Sequence, residues 1–394
     1  MPNINKPIIT ITLLLVLSST AIAAIDRVLD KGSNTKQQQN ALDQQSKIKD
    51  PDILAEEYYN IGRSFYKLGK YQEAIKNFDL AIKSQPDYAD VYNSKGIALN
   101  DLKKHQEAIK NFDIAIKYKP YLAEAYNNKG VSFNELGEYT GSVLFYNLAI
   151  KYKPDFVEAY NNKGDSLNIL GRYKEAIENF DLALKYNPYY SEAYYNRGIS
   201  LMYLGIHQEA IENYDLAIKY KPDYAAAYNN KGISLMYLGR FKEAIKNYDF
   251  AIKYKPNYVE AYCNKAIPLN MLGEYQKAIE NCDIAIKYKP DDAESYYNKG
   301  IALEKLGSQQ EAIANYNLAI KYKADFAECY LEKAISLLSL QKHKEAKENL
   351  ALALKYKPKL IEEYEQTIMG LRKLGNNLLA DELELKLKIL KSNL

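Results

Sequence analysis

One period governs this sequence. From Ala55 onward it repeats every 34 residues, and a recurring proline marks the phase: Pro86, Pro120, Pro154, Pro188, Pro222, Pro256, Pro290 and Pro358, with Ala324 at the remaining step. Units that begin three residues after each step start at 89, 123, 157, 191, 225, 259, 293 and 327, and one period back gives a first unit at 55. A chain built this way has no single core to close. Each unit buries its apolar face on its neighbours, so the total length says nothing about domain number.

Within the unit, position 4 is always tyrosine, from Tyr58 and Tyr92 to Tyr330. Position 8 is small, as in Gly62, Gly164 and Ala334, and position 11 is apolar, as in Leu99, Phe133 and Leu167. That spacing is one face of a helix. Glycine inside a helix costs about 1 kcal/mol against alanine. Its recurrence implies a second helix crossing too closely for a side chain. The second helix carries small residues at 20 and 27 and a ring at 24, which are Ala176, Ala183 and Phe180 in unit four. Between the helices stands Leu-Gly, as in Leu170-Gly171, the expected left-handed helix end. Lys103 and Gln341 replace that glycine in units two and nine, which predicts weaker ends there. Asp155 with Glu158 and Asp325 with Glu328 fit an N-cap with a reciprocal acid.

Tyr160, Gly164, Leu167, Ala176, Phe180, Ala183 and Pro188 together resemble the tetratricopeptide-repeat (TPR) family, with tyrosine in place of its usual tryptophan. The resemblance covers residues 55–360. It implies an all-α, right-handed superhelical solenoid of tandem antiparallel helix pairs, whose first helices line a concave groove. Residues 361–394 keep phase through Tyr364, Leu371, Gly375 and Ala380, and read as a degenerate tenth unit or C-terminal cap. The Glu- and Lys-rich stretch Leu378–Leu390 suits a solvent-facing helix. Two departures stand out. Gly141-Ser142 replaces Glu-Ala in unit three and predicts a poor helix start. Pro268 falls inside the first helix of unit seven, removes the bond to the Asn264 carbonyl and predicts a loss of about 3 kcal/mol or a kink.

Ahead of the array, Lys6, the apolar run Ile8–Leu17 and Ala21-Ile22-Ala23 follow the order of a secretory signal peptide. Residues 1–23 are therefore expected to be a signal and 24–54 a polar, Gln-rich spacer, briefly helical near Ala41–Lys47. The expected location is outside the cytoplasm, periplasmic or secreted in a bacterium, without stable membrane insertion once the signal is removed. An uncleaved anchor is the alternative, although the apolar stretch is short beside the ~20 residues of a spanning helix.

The 53 basic residues nearly balance the 50 acidic ones. That balance gives no electrostatic reason to expect a nucleic-acid partner. Cys263, Cys282 and Cys329 form neither a disulfide framework nor a zinc motif, and a bridge between Cys263 and Cys282 stays open. His105, His207 and His343 each occupy position 17, where other units have a packing ring, so they read as structural. No nucleophile elbow, P-loop or dinucleotide fingerprint is present. No catalytic residue, metal ligand or cofactor is assigned.

The candidate binding residues lie on the first helices. Position 6 is Asn60, Asn128, Asn162, Asn196, Asn230, Asn264 and Asn298, with Ser94 and Glu332 as exceptions. Asparagine is a mediocre helix former. In similar solenoids such amides line the groove, where they can both donate to and accept from a peptide backbone; inheritance by copying is the other explanation. Positions 12 and 13 add Ile169, Met202, Tyr203, Met236, Tyr237 and Met271, which suit an adaptable apolar anchor or packing against the next unit. Position 7 is a row of cations from Lys95 to Lys333, a signal for an acidic partner unless acids at position 2 neutralise it. The expected function is a non-enzymatic scaffold that binds a peptide or protein in the groove. A glycan-binding module of the cell envelope is the alternative.

If the signal is cleaved, protein recovered from the cell begins at Ala24. Intact mass measurement checks this. A retained 1–23 segment with membrane association that survives carbonate washing identifies an anchor instead.

Overall fold

The computed structural model describes residues 50–392. The expected signal and nearly all of the spacer lie outside the described residues. Among the described residues all regular structure is helical: twenty helices joined by short turns. They fall into two bodies, one ending at Pro120 and one beginning at Tyr121.

The first body holds α1 (Pro51–Lys67), α2 (Tyr71–Ser84), α3 (Ala89–Asp101) and α4 (His105–Tyr118). The first helix starts ahead of the repeat, at Pro51 rather than Ala55. Asp50 supplies the reason: its side chain accepts from the Asp52 amide, and Pro51 takes the first helical position, where its missing N–H costs nothing.

The second body continues as pairs. Units three to five are α5 (Ala123–Glu135) and α6 (Tyr139–Tyr152), α7 (Val157–Ile169) and α8 (Tyr173–Tyr186), and α9 (Ser191–Tyr203) and α10 (His207–Tyr220). Units six and seven are α11 (Ala225–Tyr237) and α12 (Phe241–Tyr254), and α13 (Val259–Met271) and α14 (Tyr275–Tyr288). Units eight and nine are α15 (Ala293–Lys305) and α16 (Gln309–Tyr322), and α17 (Ala327–Ser339) and α18 (His343–Tyr356). A last pair, α19 (Leu360–Lys373) and α20 (Asn377–Ser392), follows.

The glycine at position 8 meets the ring at position 24. A Cβ on Gly164 would lie 2.5 Å from the Phe180 ring, and one on Gly198 would lie 2.6 Å from Tyr214. Both rings are fully buried, so neither can move aside cheaply. The two positions change together. Where position 8 is Ala266 or Ala334, position 24 is the smaller Cys282 or Leu350.

The turn from first to second helix is a Schellman closure. In unit four the Arg172 amide donates to the Leu167 carbonyl and the Gly171 amide to that of Asn168. Gly171 sits at φ 71°, and Lys103 and Gln341 hold the same left-handed conformation at φ 61° and 58°. Their helix ends form as the others do, with the expected weakness stored as backbone strain.

The tyrosine at position 4 has a second task. Its ring packs on the tyrosine at position 30, at 5.9 Å for Tyr160 on Tyr186 and 5.7 Å for Tyr194 on Tyr220. Its hydroxyl donates to the carbonyl of the preceding Pro154 or Pro188. This pairing explains much of the tyrosine content.

Several local expectations are corrected. The Asp155 and Asp325 caps do not form. Helices α7 and α17 begin one residue later, behind Phe156 and Phe326, so those aspartates stand too early to reach the free amides. Asp292 does cap α15, accepting from the Ser295 amide at 3.1 Å. Helix α6 starts normally despite Gly141-Ser142. Gly141 leaves room for Phe133, whose ring would lie 2.8 Å from a Cβ there, and the Ser142 hydroxyl donates to the Tyr139 carbonyl at 2.7 Å. The Pro268 expectation is not among these: helix α13 spans Val259–Met271 with Pro268 inside it, where its missing N–H cannot bond the Asn264 carbonyl. The three cysteines are free and buried, and burial raises each thiol pKa, Cys263 to about 12. His207 is buried against the Tyr237 ring at 4.7 Å, and burial lowers its pKa, whereas His343 is exposed.

Gly164→Ala is expected to destabilise by about 1–3 kcal/mol through overpacking, against the ~1 kcal/mol that alanine gains as a helix former. Combined with Phe180→Leu, it should cost less than the two single losses added together. Chemical denaturation of the four proteins measures the coupling.

Candidate functional site

The amides at position 6 form a ladder between units. Asn162 Nδ2 donates to Asn127 Oδ1 at 3.2 Å, Asn196 to Asn161 at 3.1 Å and Asn264 to Asn229 at 3.1 Å. Asn230 donates to the Tyr195 hydroxyl at 3.1 Å, and Asn298 to the Cys263 carbonyl at 3.4 Å. Asn128 accepts from Asn127 Nδ2 at 3.4 Å. Every link runs from position 6 of one unit to position 5 of the unit before, except the last, which lies within one helix. The ladder continues at the end of the array, where the Tyr297 hydroxyl donates to Glu332 Oε1 at 3.5 Å. One N–H of each linking amide is therefore committed to the fold. This is a structural cause for asparagine that the period alone did not suggest.

A second ladder joins position 12 to position 10 of the next unit. Asn134 donates to the Ser166 hydroxyl at 2.9 Å, Ser200 donates to Asn168 Oδ1 at 2.6 Å and Ser336 to Glu304 Oε2 at 2.8 Å. It breaks in the middle of the array. Ser234 Oγ and Asn270 Oδ1 are buried without a partner, because position 12 before Ser234 is Met202 and position 10 after Asn270 is Ala302.

The apolar candidates divide. Tyr203 is 63 % exposed, Ile169 51 % and Tyr237 37 %, all at the turn end of a first helix. Both tyrosines are fixed from behind by the ring at position 17 of the preceding unit. Tyr203 stacks on Tyr173 at 5.1 Å and 6°, and Tyr237 on His207 at 4.7 Å and 5°. Met202 and Met236 are half-buried and pack into the cores of their own units, and Met271 is also half-buried. The structure thus brings Tyr203 and Tyr237 to equivalent places on adjacent units and directs two methionines inward.

The cationic row is largely paired, though not by position 2. Arg197 meets Asp181 at 2.8 Å, Lys231 meets Asp215 at 2.5 Å, and Lys265 and Lys299 meet Asp249 and Asp283. These are acids at position 25 of the preceding unit. The acids at position 2 pair with lysines at position 31, as Glu124 does with Lys153 at 3.1 Å. Such half-exposed pairs contribute little energy, but they cancel the charge of the row. Lys163 follows Asn147 instead of an aspartate, and burial lowers its pKa. Asp165 stands where units five to eight have isoleucine, and burial raises its pKa. A carboxylate in a column that is isoleucine or valine from unit two onward was the available signal for it.

Among the described residues no group of His, Cys, Asp or Glu could hold a metal ion, and no helix is long and apolar enough to cross a membrane.

Tetratricopeptide-repeat family patterns match residues 59–121, each 34-residue unit from 123 to 258, residues 269–307, and the units 293–326 and 327–360. The chain belongs to the tetratricopeptide-repeat family. Proteins of this family are generally non-enzymatic scaffolds for protein interaction. Among solved structures it is similar to the APC/C hetero-tetramer Cut9–Hcn1, at 15 % identity and TM-score 0.52 over 83 % of this chain and 76 % of that one. It is also similar to a tetratricopeptide repeat protein from Parabacteroides merdae, at 16 % identity and TM-score 0.51 over 63 % and 98 %. A third, YrrB, described as a TPR protein with an unusual peptide-binding site, matches at 20 % identity and TM-score 0.41 over 50 % and 97 %. No curated protein matches the sequence.

Ala302→Ser places a hydroxyl where units four, five and nine have Ser166, Ser200 and Ser336, and gives Asn270 Oδ1 a donor. The variant is expected to gain about 0.5–1.5 kcal/mol, the usual net value of an added hydrogen bond. Thermal melting checks it.

Proposed function

We propose that the chain is an exported scaffold that holds a peptide or protein segment on the first helices of units four to six. One observation carries this: Tyr203 and Tyr237 are exposed yet held rigid by the rings behind them, at the same place in successive units. Exposed aromatic surface that is already ordered loses little conformational entropy on binding, so most of its burial goes into affinity. Ile169 extends the set by one unit. The rings carry the reading more than the amides do, because an N–H of Asn162, Asn196 and Asn230 already serves the ladder. Export rests on the order of residues 1–23.

The test starts with capture of partners on the full mature chain and their identification by mass spectrometry. Burying one large apolar anchor contributes ~1.5–3 kcal/mol, so the Tyr203→Ala, Tyr237→Ala pair is expected to weaken binding of the captured partner roughly tenfold or more. The pair also loses two ring stacks, about 0.5–1.5 kcal/mol each, so the melting temperature falls modestly. Changing Lys219 and Lys253, which lie over Tyr220 and Tyr254 on second helices, should leave affinity unchanged. Undiminished binding to the folded tyrosine variant overturns the site. Selective glycan binding with no captured protein overturns the choice of partner.

A further inference from the structure

The last helix pair departs from the rest of the array. Its turn, closed by Gly375 at φ 76°, buries its next residue against another unit. Asn376 is 2 % exposed, and its Nδ2 donates to the carbonyls of Met236 at 3.1 Å and Tyr237 at 3.2 Å, the last residues of α11 in unit six. Its Oδ1 accepts from the Leu379 amide at 3.4 Å. One side chain thus serves two helices at once, bonding carbonyls at the end of α11 and an amide at the start of α20. The close approach leaves a separate mark at Gly239. A Cβ there would lie 3.4 Å from Asn376, whereas the other turn glycines at positive φ have nothing within 4 Å.

From this latch α20 runs to unit nine. Lys386 Nζ lies 2.6 Å from Glu332 Oε1 and 3.1 Å from Glu382 Oε1, with the Lys386 and Glu332 side chains only 12 % and 3 % exposed. Glu332 occupies position 6 of unit nine, the place of the amide ladder. Leu390 is fully buried, in one cluster with Leu331 and Leu360. The expected solvent-facing helix therefore turns Lys386, Leu387 and Leu390 inward, while Leu378 and Leu385 stay exposed. A buried ammonium is costly unless paired, so the Glu332 carboxylate is matched to this helix.

We propose that α20 is a ligand in cis: an amphipathic helix seated on the first helices at the end of the array and latched over Met236 and Tyr237, which an outside helix of the same pattern displaces. The proposal deepens the scaffold reading and rests on it, by naming the partner's chemistry. The preferred occupant is a helix with leucines on one face and a lysine placed to reach Glu332. The latch covers backbone of two residues in the candidate set, so the seated helix and a segment bound at Tyr237 compete.

The test uses the full chain and a fluorescent synthetic peptide with the sequence of residues 376–392. In the wild-type chain the tethered helix holds the site, and the peptide binds weakly. Lys386→Glu sets a third carboxylate against Glu332 and Glu382 and frees the helix; its chain should bind the wild-type peptide roughly tenfold more tightly, as relief of self-occupancy requires. Adding Glu332→Lys to that variant restores the pair and should return the weak binding. Hydrogen exchange should show α20 amides losing protection in Lys386→Glu while units four to eight keep theirs, and regaining it in the charge swap. Equal peptide binding by wild-type and Lys386→Glu chains overturns the proposal. So does exchange of α20 together with the whole array in every variant. If either occurs while partner binding still depends on Tyr203 and Tyr237, the scaffold reading stands without it.

Discussion

Two helices of each unit approach to within a single side chain's width, and the rest of the architecture follows from that approach. Where position 8 has no Cβ, a ring from position 24 fills the space and is sealed from solvent, as Phe180 and Tyr214 are. The ring anchors the pair laterally, and the flanking alanines at 20 and 27, such as Ala176 and Ala183, let the backbones close on either side of it. Close packing makes the contact intolerant of added volume. Units seven and nine show the tolerance it does have: in Ala266 with Cys282, and in Ala334 with Leu350, bulk added on one helix is removed from the other.

With the pair fixed, its outer surfaces repeat, and so do the bonds between units. Asparagine, serine and tyrosine at positions 5, 6, 10 and 12 link neighbouring first helices through side-chain hydrogen bonds. These groups are half-buried, where an unmatched donor or acceptor is costly. Polar matching therefore sets the register of one unit on the next, while apolar burial supplies the adhesion. The breaks at Met202 and Ala302 leave Ser234 and Asn270 short of partners. The same stretch carries the exposed Tyr203 and Tyr237. Local consistency is weakest where the surface is most distinctive, the pattern expected when a repeat is modified for binding.

The pair, its crossing and its left-handed turn were legible in the sequence, because each depends on residues within one period. The glycine at position 8 of the unit, the ring at 24 and the Leu-Gly turn report a distance of a few residues or one helix crossing. What depends on the neighbouring unit was not. Asn162 and Asn127 are 35 residues apart, and no pattern inside one unit indicates that the two amides meet. The failed Asp155 cap turned on a shift of a single residue in the helix start. Gly141 reads as a defect only because its compensation, Phe133, lies on the other helix. For the candidate site, the exposed rings were legible as departures from polar residues at the same positions, but their fixing by Tyr173 and His207 was not.

An array of near-identical units has no intrinsic way to mark one place on itself, so its specificity has to come from exceptions. Glu332 replaces an amide in the ladder, and a neutral side chain there would need only the donor supplied by Tyr297. A carboxylate on the inner helices demands a cation as well, and the chain provides it from its last helix, at Lys386. The last pair kept enough of the period to form two helices and a Gly375 turn, while its side chains diverged toward a different surface. Asn376 follows the turn glycine at the place of Arg172 or Arg240 in units four and six. There it reaches the carbonyls that end α11, beside Gly239, among the described residues the one turn glycine at positive φ with another unit packed against it. Both exceptions bind the same helix to the same array, Asn376 at its start and Lys386 past its middle. Divergence at the end of the repeat thus creates a complementary pair, a charged recess and a helix that fits it, out of one duplicated sequence.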